Sequence, residues 1–238
     1  VKIYHFETLV STQDTTKQYL AEGRDLPFAV YADMQTNGRG RSGNKWVSQH
    51  GNLLASIAIP LKNIHAKNAG QYSFLTAVAL MDCLADYGVS NAVNKWPNDI
   101  LVDGKKIAGI LLESDISADG IINALIIGIG VNLASAPEGA VCVNDLTGDT
   151  ISSSELLNQF VKQLNTQMLY IEERGFAPIR QKWLDNAYGM GMIIKIRLPH
   201  ETFHGKFIGL DEEGALLVNV DGRPRKVYSG DVFFEGKS

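Results

Sequence analysis

Gln35-Thr36-Asn37-Gly38-Arg39-Gly40-Arg41-Ser42-Gly43-Asn44-Lys45-Trp46 packs three glycines and two arginines into residues 38–43. Glycine allows positive φ and a close backbone approach. Arginine offers a rigid cationic fork that suits phosphate or carboxylate. Gly38, Gly40 and Gly43 match G-x-G-x-x-G, Gly38, Gly43 and Lys45 approximate a P-loop, and the spacing also fits a kinase glycine loop. The residues after Trp46 separate these readings. A dinucleotide fingerprint opens a helix and carries an acidic residue about twenty positions on. Here Lys45-Trp46-Val47 lead to another strand-like run, and Ala58 to His65 contains no acid. A P-loop needs Gly-Lys-Ser/Thr before a helix, whereas this chain reads Gly43-Asn44-Lys45-Trp46. The downstream kinase motifs are absent. The loop therefore joins two strands, Pro27 to Gln35 and Asn52 to Ile59, and a doubly wound fold is disfavoured. Taken alone, it could still be a basic surface loop with no ligand.

Working outward, Ile3 to Phe6 reads as a short strand. Ser11-Thr12-Gln13-Asp14 reads as a helix start with Ser11 as cap, running to Glu22 and stopped by Gly23. Asn68 to Tyr87 is the clearest helix, with Phe74, Leu75, Val78, Met81, Leu84 and Ala85 at three- and four-residue spacing. Ala92 to Lys95, Ile100 to Val102, Lys106 to Glu113 and Ile121 to Ile129 read as strands, with a hairpin turn at Asp103-Gly104. Residues 132–150 read as irregular. Ser154 to Glu173 and Pro178 to Ala187 read as helices. Beyond Met190 come five short strands, Ile193 to Leu198, Phe203 to Leu210, Ala215 to Val220, Arg225 to Tyr228 and Val232 to Glu235. Strands joined by short turns predict an α+β fold. Its mixed, largely antiparallel sheet is flanked by helices over 1–187, with a small β-barrel over 190–238.

The 238 residues are 45% hydrophobic and carry a net charge of -4. A substantial core is available, and the lack of a basic block argues against nucleic-acid binding. Cys83 and Cys142 are too few for a disulfide framework and read as inert thiols. No signal peptide and no apolar run of membrane-spanning length is present. The expected location is cytoplasmic.

Three further stretches accompany the loop. Lys95-Trp96-Pro97-Asn98-Asp99 places a cation beside a rigid turn. Lys106-Ile107-Ala108-Gly109-Ile110-Leu111 puts a glycine inside a strand, where a ligand can approach the backbone. Gly128-Ile129-Gly130-Val131-Asn132 ends a strand in Gly-x-Asn. Together with Ser11-Thr12-Gln13 and Gln35…Gly38-Arg39-Gly40-Arg41-Ser42-Gly43…Trp46, this series resembles the motifs of biotin protein ligases. The likeness covers essentially the whole chain, and its beginning at the first strand resembles the short members without an N-terminal DNA-binding domain.

The resemblance implies a class II synthetase-like sheet with an SH3-like C-terminal barrel. It implies activation of biotin by ATP to biotinyl-5'-AMP, then transfer to a lysine of a biotin carboxyl carrier protein, a subunit of acetyl-CoA carboxylase. It assigns Lys95, Arg39 and Arg41 to catalysis. Biotin falls to Ser11, Thr12, Gln13, Gln35, Arg39, Gly40, Arg41, Lys95 and Gly109, and the nucleotide to Arg39, Arg41, Trp46, Asn98, Lys95 and Asn132. Mg²⁺ accompanies ATP, with Asp99 and Glu113 as candidate supports. The 36–46 loop is expected to be a mobile lid that excludes water from the adenylate. A tryptophan that members can carry after the Gly-x-Asn strand is missing from 133–150, which leaves Val141 or Val143 as an apolar lid. Monomer and homodimer both stay open.

Three rival readings fit less well. His200-Glu201-Thr202-Phe203-His204 spells H-E-x-x-H, but zinc hydrolysis needs both histidines on one helix face and every neighbour here reads as strand. A lipoate or octanoate ligase shares the architecture, but the Lys-Trp-Pro-Asn-Asp run favours biotin. A biotin-sensing DNA regulator is disfavoured by the acidic charge balance.

Overall fold

The computed structural model describes residues 1–234. Glu235, the expected end of the last strand, and the rest of 235–238 lie outside the described residues.

Strand β1 (Lys2–Leu9) is followed by helix α1 (Thr12–Ala21), then β2 (Phe28–Gln35) and β3 (Leu53–Pro60). Helix α2 (Gln71–Asp86) leads to β4 (Val93–Lys95), β5 (Asp99–Val102), β6 (Lys105–Ile116) and β7 (Ile122–Val131). Helices α3 (Val143–Thr147), α4 (Ser153–Arg174) and α5 (Phe176–Asp185) precede β8 (Ile193–Arg197), β9 (Thr202–Leu210), β10 (Leu216–Val220), β11 (Arg223–Val227) and β12 (Asp231–Phe234). Short helix α3 lies within the stretch expected to be irregular. Five residues with no apolar periodicity leave no sequence signal for it.

The first seven strands form one sheet in the order β1-β2-β3-β7-β6-β5-β4. Within it β1 and β2 run parallel, and every other pair is antiparallel. The α+β architecture, mixed and mainly antiparallel, is as expected. The parallel pair arises because α1 crosses between β1 and β2, and a parallel pair requires such a crossover. At the hairpin between β5 and β6, Asp103 and Gly104 both take positive φ, the twist that suits a two-residue turn.

One face of the sheet packs on α2, α4 and α5. Leu75, Leu80 and Leu84 of α2, Phe160 of α4 and Trp183 of α5 are all 1% exposed or less and share a core with Ile57, Ile107, Ile127 and Val131. Under α1 a smaller cluster of Phe28, Val30 and Ala58 carries Tyr4, Phe6, Tyr19 and Leu20. The last five strands form a second antiparallel sheet in the order β11-β10-β9-β8-β12, SH3-like as expected. Its apolar residues Ile194, Ile196, Phe207, Leu216 and Val218 belong to the same continuous core as the larger sheet. Gly214 lies beneath the Phe74 ring, where a Cβ would come within 2.5 Å. Phe74 in turn meets Trp183 edge-on at 5.2 Å. At the junction, Phe234 sits against Gly189 and Tyr188.

Candidate active site

A cavity of about 300 Å³ lies where the glycine-rich loop, the sheet and the small module converge. Ser11, Thr12, Gln13, Gln35, Arg39, Gly40, Arg41, Trp46, Lys95, Asn98, Asp99 and Gly109 all line it, although they span nearly a hundred positions of sequence.

At one end the groups are neutral hydrogen-bonders. Gln35 ends β2, Ser56 lies in β3, and Ser11 and Thr12 begin α1. The Thr12 N–H and hydroxyl both donate to Gln35 Oε1, at 2.7 and 3.1 Å. The Ser56 hydroxyl, 2.8 Å away, is then the donor to Thr12 Oγ1. Ser11 stands at the helix N-cap, but its side chain makes no capping bond. Gln13 crosses over Gly128, where a Cβ would lie 2.9 Å from its Oε1. Its Nε2 donates to Glu113 Oε2 at 2.9 Å, while its buried Oε1 has no partner. Buried polar atoms are rarely left unpaired, so this acceptor is suited to a ligand donor.

The other end is cationic. Lys95 ends β4, whose outer edge is held by Asn94. The Asn94 N–H donates to Asn186 O at 2.8 Å, Tyr188 N–H donates to Asn94 O at 2.7 Å, and Asn94 Nδ2 donates to Trp183 O at 3.3 Å. These bonds fix a three-residue strand and so place Lys95. Arg41 approaches Asn98 Oδ1 at 3.4 Å. Burial disfavours its charged form, and the carboxylates of Asp231 and Asp99 work in the opposite direction. Leu54, Ala55, Trp96 and Ile110 supply apolar wall to the same cavity.

The glycine-rich loop is a folded hairpin in this structure. Trp46 N–H bonds Gly38 O (3.0 Å), Gly40 N–H bonds Asn44 O (2.7 Å), and Arg39 bridges to Lys45. A single 3₁₀ turn over Arg41–Gly43 closes it, with Ser42 and Gly43 both at positive φ. Arg39 lines the cavity, yet its guanidinium is held by Asp14 at 2.9 Å and Glu113 at 2.5 Å.

The approach expected over Gly109 is made here by protein. A Cβ on Gly109 would meet the Trp46 ring at 2.9 Å, and one on Gly130 would overlap the same indole. Lys106 lies 5.2 Å from the Trp46 ring and pairs with Asp99 at 2.6 Å. The indole Nε1 is buried without a partner.

Asn132 is not on the cavity wall. It is 3% exposed, and its Nδ2 donates to Lys106 O at 3.3 Å. Val141 and Val143 are not on the wall either, since Val143 is fully buried and Val141 packs on the core. They do not form the expected apolar lid. Neither acidic candidate is free for Mg²⁺. Asp99 is tied to Lys106, and Glu113 to Arg39, Lys17 and Gln13. Among the described residues no group of three His, Cys, Asp or Glu could hold a metal. His204 lies in strand β9 rather than on a helix, which removes the zinc-protease geometry.

Ser56, Lys106, Arg197, Asp231, Val232 and Phe233 also line the cavity. None of these was expected there, and the last four come from the small module. Only Lys106 sits in a recognisable motif; the others carry no local signal.

Two sequence patterns match the chain. That of the Biotin/lipoate A/B protein ligase family covers residues 6–132, and that of the biotin protein ligase C-terminal domain covers residues 190–235. The chain belongs to the biotin/lipoate A/B protein ligase family. It is 36% identical to the biotin–[acetyl-CoA-carboxylase] ligase of Paracoccus denitrificans, over 91% of this chain and 94% of that protein. It is 32% identical to the bifunctional ligase/repressor BirA of Bacillus subtilis (strain 168), over 97% of this chain and 73% of that protein. Its fold is similar to that of the Aquifex aeolicus biotin protein ligase solved with biotin and ATP. That likeness has a TM-score of 0.82 at 26% identity and covers 99% of both chains. Within this family fold, the neutral polar pocket and the cationic end belong to one cavity.

Proposed function

We propose that this protein is a biotin protein ligase. On this reading it forms biotinyl-5'-AMP from biotin and ATP and passes the biotinyl group to a lysine of a biotin carboxyl carrier protein. The observation that carries the reading is that one cavity combines neutral hydrogen-bonding groups, cationic groups and apolar wall. Biotin has matching parts: an uncharged ureido ring, an aliphatic chain and a carboxylate. The relatives named for this activity support the same reading.

In the first step a carboxylate oxygen of biotin attacks the α-phosphorus of ATP, and pyrophosphate leaves. Both reactants are anionic, so fixed cations lower the barrier most where charge builds on phosphorus. Lys95, Arg41 and Arg39 are the residues assigned to this. Ser11, Thr12, Gln13 and Gln35 hold the ureido ring, with Gly40 beside the ligand and Gly109 making room for the Trp46 ring. Trp46, Asn98 and Asn132 are assigned to the nucleotide, Asn132 by bracing the backbone at Lys106. In the second step the carrier amine attacks the acyl carbon of the mixed anhydride, and AMP leaves. The folded hairpin keeps water from that anhydride until then. Mg²⁺ would come with the nucleotide and offset phosphate charge; Asp99 and Glu113, both ion-paired, do not form a site for it. Residues 1–187 form the catalytic unit and 190–238 the smaller one, and a cytoplasmic location belongs to the same reading.

ATP–pyrophosphate exchange measured with biotin, lipoate and octanoate side by side tests this. Exchange is expected with biotin alone, followed by biotin transfer to a carrier domain. Exchange driven by lipoate or octanoate but not by biotin would overturn the reading.

A further inference from the structure

We propose that Glu113 is a positioning residue that serves the glycine-rich hairpin and the neutral end of the cavity at once. With Asp14 it holds Arg39, and so fastens the 38–46 hairpin to α1 and β6, and it sets the Gln13 amide so that its oxygen faces the cavity. The second half rests on the adenylation reading for the ligand's identity.

The hairpin is internally bonded and behaves as a unit. Its polar attachment to the rest of the protein runs mainly through Arg39, held by Asp14 of α1 at 2.9 Å and Glu113 of β6 at 2.5 Å. Arg41 adds a long contact to Asn98 at 3.4 Å. Glu113 is thus the one carboxylate, among the described residues, joined both to the hairpin and to Gln13. Its Oε1 takes Arg39 and Lys17, and its Oε2 takes Gln13 Nε2. An ionised carboxylate can only accept, so the Gln13 amide must turn its nitrogen to Glu113. Its Oε1 is then left buried and unpaired on the cavity wall. A ureido N–H is a donor of the required kind. Burial raises the Glu113 carboxyl, but the Lys17 hydrogen bond and the Arg39 charge outweigh it and hold the group below its usual range. It therefore stays ionised throughout the neutral range. A metal support would have to surrender these partners, whereas a latch uses them.

Hydrogen exchange on the substrate-free protein tests the latch, comparing wild type with Glu113→Gln. The amides of Gly40, Asn44 and Trp46 are expected to exchange about fivefold faster in the variant, a factor in keeping with losing one partly exposed ion pair. The KM for biotin is expected to rise by more than kcat falls, because hairpin anchoring and amide orientation act mainly on binding. Unchanged hairpin amides would overturn the latch. Faster exchange spread equally through β6 and β7 would overturn it too, since that marks a merely structural glutamate. If Glu113→Gln fails to fold, Asp14→Asn, at a half-exposed position in the first turn of α1, carries the same comparison. A wild-type protein without biotin-dependent exchange of pyrophosphate would instead sink the adenylation reading and the Gln13 half. The hydrogen-exchange result would still decide the latch.

Discussion

Lys95 owes its place to its neighbour. Asn94 is 1% exposed and makes three bonds to 183–188, so the strand that presents Lys95 does not depend on the lysine. Lys95→Ala is therefore expected to melt within a degree or two of wild type while losing at least about a hundredfold in biotin-dependent pyrophosphate exchange, the scale of one lost electrostatic stabiliser. Near-normal exchange would show that the proposed role is wrong. Cys83 behaves in the opposite way, as pure core. It is fully buried, and burial pushes its thiol up to about 12. Only the thiolate is nucleophilic. Neither Cys83 nor Cys142 should react with iodoacetamide at pH 8 until the protein unfolds; labelling of the native chain, read by mass spectrometry, checks this.

At the scale of elements, two connections are fixed by side chains from distant parts of the chain. The first follows β7. Asn52 Oδ1 accepts from the backbone N–H groups of Leu133, Ala134 and Ser135 at 2.9, 3.0 and 3.1 Å, and its Nδ2 donates to Ser135 O at 2.9 Å. Asn52→Ala leaves these groups unpaired near the core, and each such loss costs about 1–3 kcal/mol. A destabilisation of roughly 3 kcal/mol in urea unfolding is expected, after discounting for entering water. The second connection is the glycine-rich hairpin. Because the Glu113 carboxyl is held below its ordinary value, its ion pairs act fully above the unfolded-state value of about 4.3. They are lost as pH falls through the lower, folded-state value. The hairpin amides should therefore lose protection as pH falls below that unfolded-state value in wild type, and Glu113→Gln should show a smaller step, since the Asp14 pair remains. An identical acid profile in the two proteins would contradict the assignment.

For the molecule as a whole, the small module is part of the core rather than an appendage. Phe74 packs against Phe176 and Trp183 and covers Gly214, joining α2, α5 and the β9–β10 turn. Phe74→Ala is expected to cost about 3–5 kcal/mol and to lower pyrophosphate exchange as well as stability, because Arg197, Asp231 and Phe233 form one cavity wall. Calorimetry showing two separate transitions in wild type would argue against this coupling. No helix among the described residues is long and apolar enough to cross a membrane.

Much of this could be read from the chain itself. Apolar periodicity located α2, α4 and nearly all the strands, because a buried face must repeat at 3.6 or 2 residues. The strand that follows Trp46 excluded a helix-capped phosphate cradle, and motif spelling pointed to nearly every proposed ligand contact. Four things were decided only by tertiary structure. Trp46, not a ligand, fills the space over Gly109 and Gly130, since a glycine shows that something comes close but not what it is. Glu113 and Asp99 are bound by cations distant in sequence, so acidity alone could not say whether they were free. Ser56 and the wall from 197 and 231–233 lie in ordinary strands with no local signature. Arg39 is held at rest by two carboxylates from separate elements, a constraint that exists only once α1, β6 and the hairpin have packed together.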